Sequence, residues 1–265
     1  MSTGLEAIAD KEYIGRVIII GQVNGHEVIA YAVTGRSESS RARVLKEDRN
    51  VIRTMPIDSE TIKKGNPTLL LYDCIRHCGT TFIVSNGAQT SEITRETAEH
   101  HINHTYTMPR AVLNDVFRRP IILNGIDVTT YEPDAPNFTP RISGIITPQG
   151  AGMSLIEKFG EGVAQHYFDI PLVDGKGFML ATYAGKNVPS GERIPQHQGR
   201  PLDIGIAGTT PQEVACALYN ALGPKEGTGI ISPGQDFRVG VAAVFYNRKT
   251  NTMSNHIINR HEVSQ

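Results

Sequence analysis

Cysteine is scarce in this sequence, which contains Cys74, Cys78 and Cys216 and no others. Three is too few, and an odd number, for the disulfide framework of a small secreted protein, so we expect a reducing compartment. The N-terminal stretch carries acids where a secretory signal has basic and then apolar residues, and no apolar run approaches a membrane span. These absences predict a cytoplasmic protein that does not associate with membranes.

Net charge is also nearly absent, at −1 over 265 residues. An overall positive field, typical of nucleic-acid-binding proteins, is therefore excluded, and we expect no nucleic-acid partner. Any anion site must be a local patch. One basic patch lies between positions 36 and 53, where Arg36, Arg41, Arg43, Lys46, Arg49 and Arg53 outnumber the acids Glu38, Glu47 and Asp48.

Familiar catalytic and nucleotide-binding motifs are missing as well. There is no Gly-Lys-Ser/Thr P-loop, "QGAGMS" is too incomplete for a dinucleotide site, and no Gly-x-Ser-x-Gly elbow occurs. The histidines of "EHHINH" share a predicted helix face and lack the Glu of zinc proteases; they are His100, His101 and His104. Cys74, His77 and Cys78 lack the rest of a four-ligand zinc set, so core cysteines are the better interpretation. We expect no metal and no cofactor.

What the sequence does contain is a succession of short apolar segments. Segment 13–21 ("YIGRVIIIG"), an Asn24-Gly25 turn and segment 26–35 predict a hairpin. Further strands are predicted over 51–55, 69–75, 81–85, 121–129, 141–147, 178–183, 204–207, 237–247 and 252–258. Strands in runs with few helices between them favour antiparallel sheets covered by helices, which is an α+β domain.

Two helices are predicted, over 91–103 and 210–223. In the second, Thr210 and Glu213 form a capping box and Pro211 suits the first helical position. Gly/Pro-rich loops are predicted at "TPQGAGMS", "YAGKNVPSGERIPQHQGRP" and "LGPKEGTGIISPGQD". None resembles an interdomain linker, so we expect one domain over 1–265.

The stretch "TGRSESSRAR", residues 34–43, combines guanidinium groups with hydroxyls at the end of a strand. Arg36, Arg41 and Arg43 can bind a phosphate bidentately, and Ser37 and Ser40 add donors. The pattern fits a phosphomonoester site. A solvated charged turn is an equally good interpretation of the spacing alone.

The stretch "TTYEPDAPNFTPRISG", residues 129–144, displays polar side chains on a backbone that three prolines stiffen. Its candidate site residues are Glu132, Asp134, Asn137 and Arg141. Such rigidity suits a preorganised site, and an ordinary proline-rich connection is the alternative.

Two further strand ends carry polar side chains. Tyr72 and Arg76 lie at the polar end of "LLLYDCIRHCG". Asn86, in "FIVSNGAQT", could read the polar edge of a heterocycle, although Asn-Gly is also a turn signal.

Taken together, five stretches resemble the archaeal-type IMP cyclohydrolase family and its bacterial relatives. They occur in the family's order: "YIGRVIIIG" at 13–21, "YAVTGRSESSRARV" at 31–44, "YDCIR" at 72–76, "VSNGAQT" at 84–90 and "YEPDAPNFTPRI" at 131–142. The last is the most specific. The resemblance covers roughly residues 12–260 and is firmest before residue 145, after which the chain's extra length is expected in loops.

The resemblance implies a four-layer α/β/β/α sandwich of the N-terminal-nucleophile-hydrolase type, with mostly antiparallel sheets and without autoprocessing. It implies closure of the purine ring of 5-formamidoimidazole-4-carboxamide ribotide (FAICAR), with loss of water, to give IMP in de novo purine biosynthesis. The expected partner is this purine ribotide, and we expect a homo-oligomer.

The same resemblance assigns the basic stretch to the ribotide. Its 5′-phosphate would be held by Ser37, Ser40, Arg41 and Arg43. Arg36 would share this role or face the reacting carbonyl, which makes it a catalytic candidate.

The remaining candidates would act on the ring being closed. Tyr72 and Arg76 would donate to the formyl oxygen, and Glu132 or Asp134 would take a proton from the attacking carboxamide. We expect buried surroundings to raise the pKa of one of these acids. The heterocycle or ribose would be fixed by Asn86, Asn137 and Arg141.

Two other functions stay open at this point. One is a non-catalytic purine-nucleotide-binding protein that keeps the phosphate site. The other is a cyclohydrolase or amidohydrolase that acts on another phosphorylated heterocycle.

Overall fold

The computed structural model describes residues 4–102 and 108–263. Its strands are β1 Arg16–Val23, β2 His26–Thr34, β3 Arg43–Asp48, β4 Val51–Pro56, β5 Asp73–Cys78, β6 Thr81–Ser85, β7 Ile122–Leu123, β8 Ile126–Asp127, β9 Arg141–Thr147, β10 Gly150–Phe159, β11 Gly162–Ile170, β12 Lys176–Ala181, β13 Leu202–Gly205, β14 Arg238–Asn247 and β15 Thr252–Asn259. Its helices are α1 Glu6–Ala9, α2 Glu38–Arg41, α3 Ser59–Lys63, α4 Pro67–Leu70, α5 Gln89–Ile102, α6 Pro109–Val116, α7 Pro211–Ala221 and α8 Arg260–Val263.

Two large antiparallel sheets organise these strands. The first has the order β13-β12-β1-β2-β14-β15, and the second has the order β11-β10-β9-β6-β5-β4-β3. Neighbouring strands pair antiparallel throughout both sheets. The prediction of an α+β protein with mostly antiparallel sheets is confirmed.

The apolar run in β1 is buried on both faces of the first sheet. Ile18 and Ile20 pack in a core cluster with Val84 of the second sheet. Ile19 points to the other face, where it joins Val214 of α7 in a second cluster. Full burial of an isoleucine contributes roughly 1.5–3 kcal/mol. Because successive side chains of a strand point to opposite faces, a strand that is apolar at every position gains this energy at each of them only when both faces are covered. A third cluster joins residues of β6, β9 and β10 to α5 and α6.

Several local predictions are confirmed. Asn24 and Gly25 adopt φ values of 49° and 72° and close the hairpin of β1 and β2. Thr210 and Glu213 form the capping box of α7, with Pro211 in its first turn. The predicted polar helix is α5, which starts slightly earlier than expected.

Other local predictions are wrong. The strand expected over 69–75 begins only at Asp73, because Asn66 caps a helical turn that starts at Pro67. The strand expected over 121–129 is a hairpin of two short strands, β7 and β8. The strand β3 was not predicted.

The loop predicted at "TPQGAGMS" is wrong for most of its length. It is the start of β10, whose hairpin with β11 extends the second sheet and accommodates part of the chain after residue 145. Gly152 is needed within this strand because a Cβ there would lie 3.0 Å from the backbone nitrogen of Arg110 in α6. In the sequence alone, a glycine that lets a helix approach a strand closely looks the same as a glycine in a loop.

None of the helices in the described ranges combines the length and apolar character that a membrane span requires. The single-domain boundary, 1–265, stays a prediction.

Candidate functional site

A cavity of about 500 Å³ opens at one end of the first sheet. Arg16 starts β1, Thr34 ends β2 and Arg238 starts β14, and the pairing of these strands brings the three termini together. We call this space the polar cavity. It is lined by Tyr13, Arg16, Thr34, Arg36, Ser37, Ser39, Ser40, Arg43, Gly65, Asn66, Leu69, Leu70, Glu132, Asp134, Asn137, Tyr183, Asn187, Val188, Ser190, Ile194, Ser232, Gln235 and Phe237.

The basic stretch forms one wall of the polar cavity. Arg43 is buried, and its guanidinium donates to the carbonyl oxygens of Ser40 at 2.8 Å and Leu70 at 3.1 Å. Arg36 donates to Asn187 Oδ1 at 3.1 Å and to the Val188 carbonyl at 3.0 Å. Two guanidinium groups are therefore held in place before any ligand binds.

Two of the three serines in this wall also shape the backbone. Ser37 precedes α2, and its Oγ accepts from the Ser40 backbone nitrogen at 3.1 Å. Ser40 Oγ donates to the Ser37 carbonyl at 2.9 Å. Both serines line the polar cavity. Arg41, in the same turn, is outside the lining.

Two carboxylates project into the polar cavity from the proline-rich stretch. Glu132 is buried and forms an ion pair with Arg16, whose side chain is 12% exposed. Burial, the largest single influence, lowers the pKa of Arg16, but Glu132, Tyr72 and Tyr183 together outweigh it and hold that pKa well above its ordinary value. Glu132 thus has a permanent cationic partner.

Asp134, the second carboxylate, has neutral partners. Its Oδ1 accepts from the Thr139 backbone nitrogen at 2.6 Å, and its Oδ2 accepts from the Thr139 hydroxyl. Burial, and then the negative charge of Glu132, raise the pKa of Asp134 above its ordinary value. Asp134 is therefore more basic than an ordinary aspartate, which suits a proton acceptor.

The segment that carries these acids is fixed at both of its ends. Asn86 donates to the Pro140 carbonyl at 2.9 Å and accepts from the Ile142 backbone nitrogen at 2.9 Å. Arg141 donates to the Thr130 carbonyl at 2.8 Å and to Gln89 at 3.1 Å. Neither Asn86 nor Arg141 belongs to the lining of the polar cavity. In this structure Asn86 and Arg141 hold residues 129–144, which we call the acid segment, without lining the cavity themselves.

The loop after β12 forms another wall and contacts the acid segment. Gln196 donates to the carbonyl oxygens of Asn137 at 2.6 Å and Phe138 at 2.8 Å. Asn137, which lines the polar cavity, accepts from the Ile194 backbone nitrogen at 3.2 Å. His197 is buried beside Arg200, away from the lining.

Tyr72 and Arg76 lie outside the lining. The Tyr72 hydroxyl is buried and lies 2.7 Å from the Tyr31 hydroxyl. Arg76 forms an ion pair with Asp73 at 2.8 Å. Their roles toward the formyl oxygen stay predictions.

Several cavity residues were missed by the sequence reasoning. They include Tyr13, Arg16, Thr34, Tyr183 and Asn187. One signal was available: Arg16 is a charged residue inside the apolar run "YIGRVIIIG", and a buried charge requires a partner. Tyr183 and Asn187 carry no such local signal.

The described members of the cysteine and histidine clusters lie outside the lining of the polar cavity: Cys74, His77, Cys78, His100 and His101. Cys74 is buried and Cys78 is exposed, and the His77 ring stacks on Phe82 at 4.2 Å. In the part of the chain that the structure describes, no group of three or more His, Cys, Asp or Glu side chains is arranged to hold a metal ion. His104 lies outside the described residues.

Comparison with known proteins places these features in a family. The family described as IMP cyclohydrolase-like protein matches residues 13–228 of this chain. A protein named IMP cyclohydrolase from Methanocaldococcus jannaschii is 27% identical over 209 residues, which cover 78% of this chain and 86% of the relative. The IMP cyclohydrolase of Methanococcus aeolicus is 25% identical over 203 residues, or 76% of this chain and 85% of the relative. That of Methanocella arvoryzae is 30% identical over 172 residues, or 64% and 74%.

Proposed function

This chain belongs to the IMP cyclohydrolase-like protein family, and we propose that it acts as an IMP cyclohydrolase with the polar cavity as its active site. The substrate is FAICAR, and the product is IMP. The observation that carries the proposal, beside the family match, is that one cavity combines a basic, hydroxyl-rich wall with two carboxylates, the buried Glu132 and the partly buried Asp134.

The basic wall binds the 5′-phosphate in this proposal. Arg36 and Arg43 are held by carbonyl and amide oxygens, so little side-chain entropy is lost when a phosphate binds. Ser37 and Ser40 offer hydroxyl groups on the same wall. Asn137, on the acid segment, contacts the ribose or heterocycle. Because the phosphate is remote from the reacting atoms, its binding energy serves to position the two pendant groups.

The carboxylate pair moves protons. A carboxamide nitrogen is a poor nucleophile, so its attack on the formyl carbon needs a base. Asp134 takes this role because burial and Glu132 raise its pKa. Glu132 forms an ion pair with Arg16 and contributes to the raised pKa of Asp134.

Three wider properties are part of the proposal. The layering is α/β/β/α of the N-terminal-nucleophile-hydrolase type without autoprocessing, which is supported by one core cluster between the sheets and one beneath the helices on each side. The protein is cytoplasmic, and it is a homo-oligomer.

A direct assay tests the proposal. Purified protein is incubated with FAICAR, with and without a chelator, and IMP is measured by chromatography against buffer alone. Conversion well above the buffer rate in both samples is expected. Binding of IMP in calorimetry without any conversion would instead indicate a non-catalytic nucleotide-binding protein. Conversion of another phosphorylated heterocycle in place of FAICAR would indicate a related amidohydrolase.

A further inference from the structure

A chain of hydrogen bonds leads from Asp134 to a second group in the wall of the polar cavity. The Thr139 hydroxyl donates to Asp134 Oδ2. The oxygen of that hydroxyl, Thr139 Oγ1, lies 2.6 Å from the Tyr183 hydroxyl. Thr139 is fully buried, whereas Asp134 and Tyr183 both line the polar cavity. The two cavity groups are therefore connected through a hydroxyl that bulk water does not reach.

The direction of these hydrogen bonds depends on the charge of Asp134. An ionised carboxylate only accepts, so the Thr139 hydroxyl must donate to it, and Tyr183 must then donate to Thr139. Once Asp134 has gained a proton, the carboxyl group can donate to Thr139, and Thr139 can donate to Tyr183. In this second arrangement the proton of Tyr183 is free to be donated into the cavity, so proton uptake by Asp134 and proton donation by Tyr183 are coupled.

We propose, on the basis of the proposed function, that Tyr183 is a further catalytic residue, which protonates the formyl oxygen of the substrate, and that Thr139 returns the proton from Asp134 to Tyr183. In the first step the carboxamide nitrogen forms a bond to the formyl carbon, and the π electrons of the carbonyl move to oxygen. Asp134 takes one proton from the nitrogen while Tyr183 gives one proton to the oxygen. The proton on Asp134 then passes through Thr139 to Tyr183, which leaves both groups as they began.

The same chain serves the loss of water. The bond from carbon to the hydroxyl oxygen breaks, and Tyr183 protonates the departing hydroxide to give water. The former formamido nitrogen gives its proton to Asp134 and forms the double bond to carbon. Each step thus moves one proton from a nitrogen to the same oxygen, and no external acid is consumed.

The surroundings of Tyr183 suit a proton donor. Burial raises the pKa of Tyr183 well above its ordinary value, so its hydroxyl keeps its proton until attack by the nitrogen has made the formyl oxygen strongly basic. Its ring stacks on Tyr13 with centroids 5.5 Å apart, which fixes the direction of the hydroxyl. The charged groups that face it are Arg16 and Asp134.

Four variants test the relay. Tyr183→Phe keeps the stacked ring and removes the hydroxyl, and Thr139→Val removes the hydroxyl that connects the two cavity groups. Both are expected to lower kcat by about 10²-fold or more, the usual contribution of general acid–base catalysis, with IMP affinity changed by less than about threefold. Thr139→Ser restores the hydroxyl and is expected to keep kcat within about threefold of the wild type. Tyr246→Phe is the matched control, because Tyr246 is also a buried tyrosine, with a hydroxyl that donates to Asn251 at 2.8 Å, but lies outside the polar cavity.

The outcomes separate the relay from the proposed function. Wild-type protein that does not convert FAICAR would overturn both. An active wild type with Tyr183→Phe or Thr139→Val at nearly full kcat would overturn the relay alone. Equal losses in Thr139→Ser and Thr139→Val would also overturn it, because a hydroxyl would then not be the group that matters. Circular dichroism and thermal unfolding of each variant exclude loss of fold as the cause.

Discussion

Replacing Arg16 by methionine tests the ion pair on which the arrangement of the acids depends. The Arg16 side chain is 12% exposed and that of Glu132 is 3% exposed, so the pair is largely removed from water. Removing one partner of a buried pair leaves an uncompensated charge, which typically costs about 3–5 kcal/mol. Since a folded domain is stable by only about 5–15 kcal/mol, this loss is a large fraction of the total.

Urea unfolding at neutral pH measures the effect. We expect the midpoint of Arg16→Met to fall without a change in the m-value, which identifies a loss of stability and not of compactness. The double variant Arg16→Met/Glu132→Gln removes both charges and is expected to be more stable than Arg16→Met by about 1 kcal/mol or more.

An exposed ion pair provides the matched control. Arg95 and Glu99 are one helical turn apart in α5, at 2.6 Å, with side chains 52% and 51% exposed. The same substitution, Arg95→Met, also removes the contact of Arg95 with Glu92 at 3.0 Å. Because Arg95 is exposed, the cost is expected to stay below about 1 kcal/mol. A loss for Arg16→Met no larger than that for Arg95→Met would show that the buried pair contributes no more than an exposed one.

Three further predictions concern binding, proton transfer and stability. Arg36→Ala is expected to weaken IMP binding about tenfold or more and to change kcat less, because hydrogen bonds to charged groups contribute about 1.5–3 kcal/mol. Calorimetry and kinetics measure both effects, and Arg49→Ala is the control, because Arg49 is exposed and lies outside the polar cavity. A loss of kcat without weaker binding would contradict the prediction. Asp134→Asn is expected to lower kcat about 10²–10⁴-fold with IMP binding retained. Asp134 must be ionised to act as the base, and burial and Glu132 raise its pKa. As the pH is lowered, the wild-type rate should therefore begin to fall above the ordinary aspartate pKa of about 3.9. A rate that falls only below this pH would count against Asp134 as the base. Thr210→Ala is expected to destabilise the protein by about 0.5–2 kcal/mol through loss of the α7 cap, whereas Thr210→Ser should be nearly neutral in thermal unfolding; equal unfolding temperatures for the two variants would show that the cap does not matter.

The features that sequence reasoning predicted correctly have local causes. The hairpin of β1 and β2 follows from alternating apolar residues and an Asn-Gly turn, and α7 follows from its capping box. The failures have causes in tertiary structure. Gly152 suggested a loop because nothing in the sequence shows that α6 packs against that strand.

The candidate site likewise has parts that the sequence predicted and parts that it did not. The basic and acidic stretches were recognised because each concentrates its charged side chains within a few residues of the sequence. Their partners were not, because Arg16 and Tyr183 meet Glu132 and Thr139 only through the fold, across 116 and 44 positions of the chain. Sequence patterns predict which groups carry chemistry better than they predict which groups orient them.

A crystal structure of this protein with IMP bound tests most directly whether the polar cavity is the active site. We expect the phosphate against Arg36, Arg43 and the hydroxyl groups of Ser37 and Ser40, and the six-membered ring of the purine beside Asp134 and Tyr183. IMP bound elsewhere, or bound in the polar cavity with its phosphate beside the carboxylates, would contradict the central claim.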